Sequence, residues 1–279
     1  METSVILVVL GSAVLHAVWN VIIKGGSDKL VETSMKAAGG GFAALLVLPF
    51  LPPPLPESRI YLCATVFCHF FYYLFIFLAY RKADMSYAYT IMRGSAPLFT
   101  ALASAFALGE AISTGGWAGV LLLSFGVLVL TADAVRLGAF SLQSTLFALA
   151  NAIVIMGYSL VDGHGVRLSG HTLTYICWAF FCNAFPITIF AIALRRSDYF
   201  RYVKKRWRYG LCGGLCSAVA YGLALWGMTR APVALVAALR ETSVVFGVVF
   251  AVVFLKENIT PARLAAVILV LAGAVAMRV

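Results

Sequence analysis

Residues 92–110 read MRGSAPLFTALASAFALGE, and residues 239–257 read LRETSVVFGVVFAVVFLKE. Both runs are rich in small and apolar residues, carry an arginine near the start and end in Leu-x-Glu. Extended to 93–126 and 240–273, they align without a gap at a constant offset of 147 residues. The two halves of the chain therefore look like duplicates. The identical pairs are Arg93/Arg240, Phe99/Phe246, Leu108/Leu255, Glu110/Glu257, Ile112/Ile259, Ala118/Ala265, Val120/Val267, Leu122/Leu269 and Gly126/Gly273.

Composition places these repeats in a membrane. Of 279 residues, 62% are hydrophobic and 11% are charged, whereas a soluble domain has about 25% charged residues. Soluble enzymes, disordered chains and disulfide-stapled secreted domains are excluded together. A membrane-spanning helix needs about 20 apolar residues, and the sequence predicts ten, which leave no room for a domain outside the bilayer. They lie at about 4–23, 33–51, 60–80, 85–107, 115–133, 141–161, 172–194, 208–229, 232–254 and 260–278.

Basic residues between the spans predict the orientation. The loops after spans 1, 3, 5, 7 and 9 are assigned fifteen of them, and the opposite side only four. By the positive-inside rule both termini face outward. The net charge of +10 therefore reflects topology and not a nucleic-acid partner. The fifteen are Lys24, Lys29, Lys36, Arg81, Lys82, Arg136, Arg195, Arg196, Arg201, Lys204, Lys205, Arg206, Arg208, Lys256 and Arg263; the four are Arg59, Arg167, Arg230 and Arg278.

Five spans in each half force the second copy to enter the membrane upside down. The sequence predicts one all-α membrane unit of two inverted repeats, residues 1–137 and 138–279. Such repeats are typical of secondary transporters, with a site near the midplane. Thr260 before Pro261 predicts a helix start, and Ser113 occupies the matching position in the first copy. The runs Gly39–Gly41 and Gly213–Gly214 suit close helix packing.

The 5+5 organisation and the two quoted stretches resemble the EamA-type, ten-helix members of the drug/metabolite transporter superfamily. The resemblance implies a metabolite transporter, often an exporter, with a central cavity lined by helices 1, 3, 4, 6, 8 and 9. Members are often described with cytoplasmic termini, whereas the charge count predicts the opposite. Val244 departs from the pattern, since Pro97 stands in the first copy, and Arg93, Arg240 and Glu241 are not general family features.

Ionisable residues inside the spans are candidates for a binding site because a central charge costs about 2.5–3.5 kcal/mol on insertion. Arg93 and Arg240 each lie eight residues into their predicted spans, and Glu241 follows Arg240. In one interpretation an arginine receives a substrate carboxylate while Glu241 meets an amine, as an amino acid would require. In another, Glu241 carries a proton. In the structural alternative, an arginine pairs with Glu241 and fixes helix packing.

Polar and aromatic side chains at helical spacing complete the predicted substrate site. Single His or Asn groups in bundles also bridge neighbouring helices, so this structural role is the alternative for each. The full set of predicted substrate-binding residues is His16, Trp19, Asn20, His69, Tyr73, Arg93, Tyr158, Tyr221, Trp226, Arg240 and Glu241.

Catalytic motifs are absent from the sequence: it has no HExxH, GxSxG, phosphate-binding glycine loop or Cys-x-x-Cys pair. No metal or organic cofactor is expected. We predict a multi-pass protein of a bacterial inner membrane that works as a monomer and moves a small metabolite, such as an amino acid, aromatic ones included. The alternatives are a channel or uncoupled facilitator and, from another class, an intramembrane enzyme that uses His16 or His69.

Overall fold

The computed structural model describes residues 1–79, 85–136, 138, 140–255 and 260–277, with the backbone alone described at 24, 85, 86, 133, 134, 136 and 251–255. All regular structure in these residues is helical. The helices are α1 (Thr3–Lys24), α2 (Lys29–Val47), α3 (Pro56–Ala79), α4 (Met85–Ala107), α5 (Thr114–Arg136), α6 (Leu142–Leu168), α7 (Thr172–Arg195), α8 (Ser197–Met228), α9 (Val233–Leu239), α10 (Ser243–Leu255) and α11 (Pro261–Ala276). A short 3₁₀ helix, Leu48–Phe50, follows α2, and a second, Arg240–Thr242, joins α9 to α10.

The helices match the ten predicted spans, with α9, the 3₁₀ turn and α10 forming the ninth. In the described chain, eight helical segments are long and apolar enough to cross a membrane, and α11 adds a shorter apolar helix. Several residues used in the sequence analysis lie outside the described ranges: Arg81, Lys82, Lys256, Glu257, Ile259 and Arg278.

The sequence predicts a basic loop between spans 7 and 8, and this prediction is wrong. Only Arg196, at φ 48°, separates α7 from α8. The 32 residues of α8 extend for about 48 Å, longer than the hydrocarbon layer. The helix continues because Tyr199 packs against the start of α2 and the Tyr202 hydroxyl donates to Glu32 Oε1 at 2.7 Å. Local polarity suggested a loop, and these tertiary contacts select a helix.

The count of basic residues places Lys36 in the loop after span 1, and this assignment is wrong. Lys36 lies within α2 and is only 7% exposed. Asp28 caps this helix at Lys29 by accepting from the backbone N–H groups of Leu30 and Val31. Lys36 is therefore two turns inside the helix and does not report on orientation.

The predicted helix starts after Ser113 and at Thr260 are confirmed. The Ser113 hydroxyl accepts from Gly116 N at 3.1 Å as α5 begins, and the Thr260 hydroxyl accepts from Arg263 N at 3.2 Å as α11 begins. Side-chain oxygens satisfy backbone donors that have no partner within a first helical turn.

Helix pairing relates the first five spans to the last five. The contact of α3 with α6 corresponds to the contact of α8 with α1. In the same way, the contact of α3 with α7 corresponds to the contact of α8 with α2. α4 contacts α6, and the interrupted ninth span contacts α1. Two further pairs, α2 with α7 and α5 with α11, join helices in matching positions. Exchanging the two sets of five spans turns each of these pairs into another of them or into itself.

Small residues allow α5 and α11 to approach closely. A Cβ atom added at Gly119 would lie 2.7 Å from the Gly273 carbonyl oxygen, and one added at Gly126 would lie 3.1 Å from that of Ala266. Residue numbers rise along α5 as they fall along α11, so the helices are antiparallel. At the offset of 147, Gly119 aligns with Ala266 and Gly126 with Gly273, so these contacts exchange with each other.

Glycines also join α2 to α8, as the sequence predicts. A Cβ at Gly39 would lie 2.5 Å from the Gly210 carbonyl oxygen, and one at Gly214 would overlap the Gly40 backbone. Gly213, in contrast, has no neighbour nearer than 3.6 Å. Close backbone approach is thus confirmed for Gly39, Gly40 and Gly214, but not for Gly213.

Replacing Gly39 by alanine should destabilise the protein because the added methyl meets rigid backbone, and overpacking costs about 1–3 kcal/mol. The matched control is Gly11→Ala in α1, where nothing lies within 4 Å of the new Cβ; helix propensity should make it neutral or stabilising by up to about 1 kcal/mol. Melting temperatures in detergent test the pair. Equal melting temperatures would contradict the close packing of α2 on α8.

Candidate functional site

A cavity lies between α1, α2, α3, α6, α7, α8 and the 3₁₀ turn at Arg240. We call its deepest part the inner chamber. Five of the six family-expected helices, 1, 3, 6, 8 and 9, contribute to its wall, and α2 and α7 join them. The wall is formed by His16, Trp19, Lys36, Ala37, His69, Tyr72, Tyr73, Tyr158, Ala179, Phe180, Asn183, Ala184, Ser217, Tyr221 and Arg240.

A second space, which we call the outer chamber, adjoins the first through shared wall residues that include Trp19 and Lys36. Its other walls include Asp28 and Lys29 in the connection between α1 and α2, and Arg195 at the end of α7. The cavity therefore leads to the end of the bundle where α1 meets α2. Tyr89, on α4, also lines the outer chamber.

Seven of the eleven predicted residues line the inner chamber. They come from α1, α3, α6, α8 and the 3₁₀ turn, far apart in sequence, and the fold brings them together. An eighth, Asn20, lines the outer chamber, where its amide donates to the His16 carbonyl at 2.8 Å. The seven are His16, Trp19, His69, Tyr73, Tyr158, Tyr221 and Arg240. Their role in substrate binding stays a prediction.

The other three predicted residues lie outside both chamber walls. Arg93 on α4 pairs with Glu241, with 2.9 Å between Nε and Oε2, and both residues are buried. Trp226 on α8 stacks with the guanidinium of Arg230, whose Cζ lies 4.0 Å from the ring centroid. The Arg93–Glu241 pair ties α4 to the interrupted ninth span, as in the structural alternative.

Arg240 faces the inner chamber without a polar partner. The side chain is 6% exposed, and its Cζ lies 5.0 Å from the Tyr221 ring centroid. Among the described residues it makes no hydrogen bond and no ion pair. Arg240 and Glu241 are adjacent in the 3₁₀ turn, but their side chains point in different directions. Glu241 contacts Arg93, whereas Arg240 lies at the cavity wall.

Lys36 is a cavity residue that the sequence analysis missed. Its Nζ lies 4.5 Å from the Trp19 ring centroid and 5.2 Å from that of Tyr73, and it donates to the Tyr73 hydroxyl at 3.3 Å. No carboxylate of the described chain lies within 4.0 Å of it. The signal was present, because Lys36 falls inside the apolar run predicted at 33–51, where an ionisable residue is a functional candidate.

Asp162 is the second residue of consequence outside the predicted site. Although fully buried on α6, its carboxylate accepts from three hydroxyls: Thr65 at 3.0 Å, Tyr175 at 2.9 Å and Tyr221 at 2.6 Å. Each donor lies on a different helix, so the carboxylate joins four helices. The predicted span 141–161 ended one residue too early to include it.

His69 is linked to this carboxylate through Thr65. The Thr65 hydroxyl has one hydrogen, which it donates to Asp162, and it lies 3.0 Å from His69 Nδ1. We therefore assign the hydrogen of the neutral imidazole to Nδ1, which leaves Nε2 as an acceptor. The ring stacks on Tyr158 with centroids 4.6 Å apart and meets Tyr221 edge to face at 6.0 Å.

A network of polar contacts joins three segments of the chain at the opposite end of the bundle. Glu110, after α4, accepts from Arg167 Nη2 at 2.7 Å and from the Val233 backbone N–H at 2.8 Å. Arg167 also donates to the Met228 and Ala231 carbonyl oxygens at 2.8 and 3.1 Å. This latch, Glu110–Arg167–Val233, joins the α4–α5 connection, the end of α6 and the start of α9.

Removing the charge of Asp162 should loosen the inner chamber. Asp162→Asn places an amide donor opposite hydroxyl donors, and an unsatisfied buried group costs about 1–3 kcal/mol. The matched control is Asp198→Asn, because Asp198 is exposed and pairs only with Arg201 at the surface. Melting in detergent should fall for the first variant and not for the second. Equal stability would contradict the bridging role of Asp162.

In the part of the chain that the structure describes, no three His, Cys, Asp or Glu side chains cluster closely enough to hold a metal ion.

The protein is a helical membrane bundle with a cavity that opens at one end. Aromatic rings and cations line the wall of that cavity. Comparison with known families gives the assignment: the EamA-like transporter family matches residues 3–132 and 143–279, and the chain belongs to it. A crystal structure of another protein matches over 99% of this chain and 96% of its own, with a TM-score of 0.76 and 21% sequence identity, which shows a shared fold. A search of curated proteins finds no match.

Proposed function

We propose that the protein is a secondary transporter that exports a small amphiphilic metabolite, an amino acid or a related compound including aromatic ones, by alternating access. The observation that carries this proposal is the inner chamber, where the unpaired Arg240 guanidinium lies among aromatic rings. A guanidinium binds carboxylates through directed hydrogen bonds, and the rings suit an apolar body. The direction of transport rests on the family resemblance.

The proposed architecture is a pair of inverted repeats, residues 1–137 and 138–279. Three observations support it. The family matches the chain in two stretches that coincide with these halves. The main helix pairs named above are preserved when the halves are exchanged. The equivalent helices α5 and α11 run antiparallel, as copies of opposite orientation must. Inverted repeats that enclose a site are the usual basis of alternating access.

The asymmetry of the two ends supports a carrier over a channel or an uncoupled facilitator. A channel needs a path open from end to end, whereas this cavity leads to the α1–α2 connection and the Glu110 latch joins the helix ends at the other end of the bundle. If the termini face outward, as the positive-inside rule predicts, the open end is cytoplasmic. We propose a monomer in the inner membrane of a bacterium, loading substrate from the cytoplasm.

Counterflow in proteoliposomes tests the proposal. Vesicles loaded with unlabelled amino acids should accumulate the labelled compound transiently, with and without a pH gradient. Arg240→Ala should reduce the initial rate by about tenfold or more, since a charge-assisted contact to the substrate is lost. The control is Arg230→Ala, because Arg230 is exposed at the end of the bundle where the Glu110 latch lies, stacks on Trp226 and donates to Thr229.

Saturation and counterflow would support a carrier. Flux that does not saturate and shows no counterflow would instead favour a channel, and chemical conversion of the substrate without transport would favour an enzyme. An unchanged rate in Arg240→Ala would contradict the assigned site even if transport is observed.

The latch gives a separate test of alternating access. Glu110→Gln keeps the shape of the side chain but removes the charge that holds Arg167 and the Val233 N–H. Hydrogen exchange in residues 229–239 should accelerate by about tenfold, as expected for the loss of a charge-assisted contact. Glu57→Gln, an exposed change at the same end, is the control. Unaltered exchange would show that Glu110 does not hold this end closed.

A further inference from the structure

The inner chamber carries an excess of positive charge. Lys36 and Arg240 are its charged wall residues, and both are more than nine-tenths buried. They come from opposite halves of the chain, one from α2 and one from the 3₁₀ turn of the ninth span. Charges buried in an apolar bundle are normally paired, so two cations at one cavity require an explanation.

The nearest buried carboxylates do not balance these cations. Glu241 is committed to Arg93, and neither lines the chamber. Asp162 lies behind the Tyr221 ring with three hydroxyl donors around it. Within the described chain, neither Lys36 nor Arg240 has a carboxylate within 4.0 Å.

Aromatic rings hold the two cations in place while leaving their N–H donors free. Lys36 lies over Trp19 and Tyr73, and Arg240 over Tyr221. A ring face attracts a cation, but it does not accept hydrogen bonds from the cation as a carboxylate does. The Lys36 ammonium has one acceptor, the Tyr73 hydroxyl, for its three hydrogens.

Most of the charges along the entrance are positive as well. The outer chamber is lined by Lys29, Lys36 and Arg195, with Asp28 as its carboxylate. Asp28 is itself paired with Arg195, with Nε and Oδ2 2.6 Å apart. A passage with this balance attracts anions and repels cations.

From this arrangement we infer that the preferred ligand is an organic anion with an aromatic body, whose acidic groups bind Lys36 and Arg240 together. This inference rests on the proposed transport function and narrows its substrate class. A neutral amino acid fits less well, because its ammonium group would enter a chamber whose charged wall residues are both cations.

A series of ligands with the same phenyl group and different net charges tests the inference. Phenylsuccinate, 3-phenylpropionate, phenylalanine and phenethylamine share a phenyl body and carry net charges from minus two to plus one. Stabilisation of the detergent-purified protein against melting, measured against ligand concentration, should give affinities that fall in that order. Phenylsuccinate should bind at least about tenfold more tightly than phenylalanine, because it gains a charge-assisted contact and avoids a buried ammonium.

Two variants test the contribution of Lys36. Lys36→Met should lower the affinity for phenylsuccinate by about tenfold or more and remove its advantage over 3-phenylpropionate. Lys36→Arg keeps the charge and should restore part of that advantage. Lys204→Met, an exposed change on α8 with the same loss of charge, should leave the order intact.

The outcomes separate this inference from the transport proposal. Equal or tighter binding of phenylalanine, or no stabilisation by either acid, overturns the anion assignment and leaves transport to the counterflow assay. Binding of the acids in the expected order supports the assignment, even if the same acids show no counterflow, in which case the transport proposal fails for them.

Discussion

The cost of burying charge in an apolar bundle shapes this protein more than any other constraint. Five charged side chains inside the helices show this constraint: the cations Lys36, Arg93 and Arg240 and the carboxylates Asp162 and Glu241. Arg93 and Glu241 neutralise each other, and Asp162 is surrounded by three hydroxyls. These arrangements satisfy three of the five charges. Lys36 and Arg240 remain, and both lie at the cavity wall. The location of the unpaired charges therefore defines the site.

Close backbone packing makes room for that site. Glycines bring α2 against α8, which both line the inner chamber, and α5 against α11, which line neither chamber. The ninth span, in contrast, is interrupted by a 3₁₀ turn at Arg240–Thr242. Such interruptions inside a helix often mark functional segments. Here the turn lets adjacent residues serve different purposes, since Glu241 joins α4 while Arg240 faces the chamber.

Local patterns in the sequence predicted the helices well because hydrophobic length and capping are short-range properties. The starts of α5 and α11 follow from Ser113, Thr260 and Pro261. The start of α8 does not, because a polar and basic segment suggests a loop unless its tertiary contacts with α2 are known. Lys36 was misplaced for a related reason, since its charge was counted with the loop beside it.

By itself the sequence determined the membrane class, the ten spans and seven of the fifteen residues that line the inner chamber, because composition and periodicity encode burial directly. Only the tertiary structure decided which charges meet. Arg93 and Arg240 occupy equivalent positions in the repeats, yet one is paired and the other is not. Pairing depends on distances between helices far apart in the chain, and no local pattern specifies those distances.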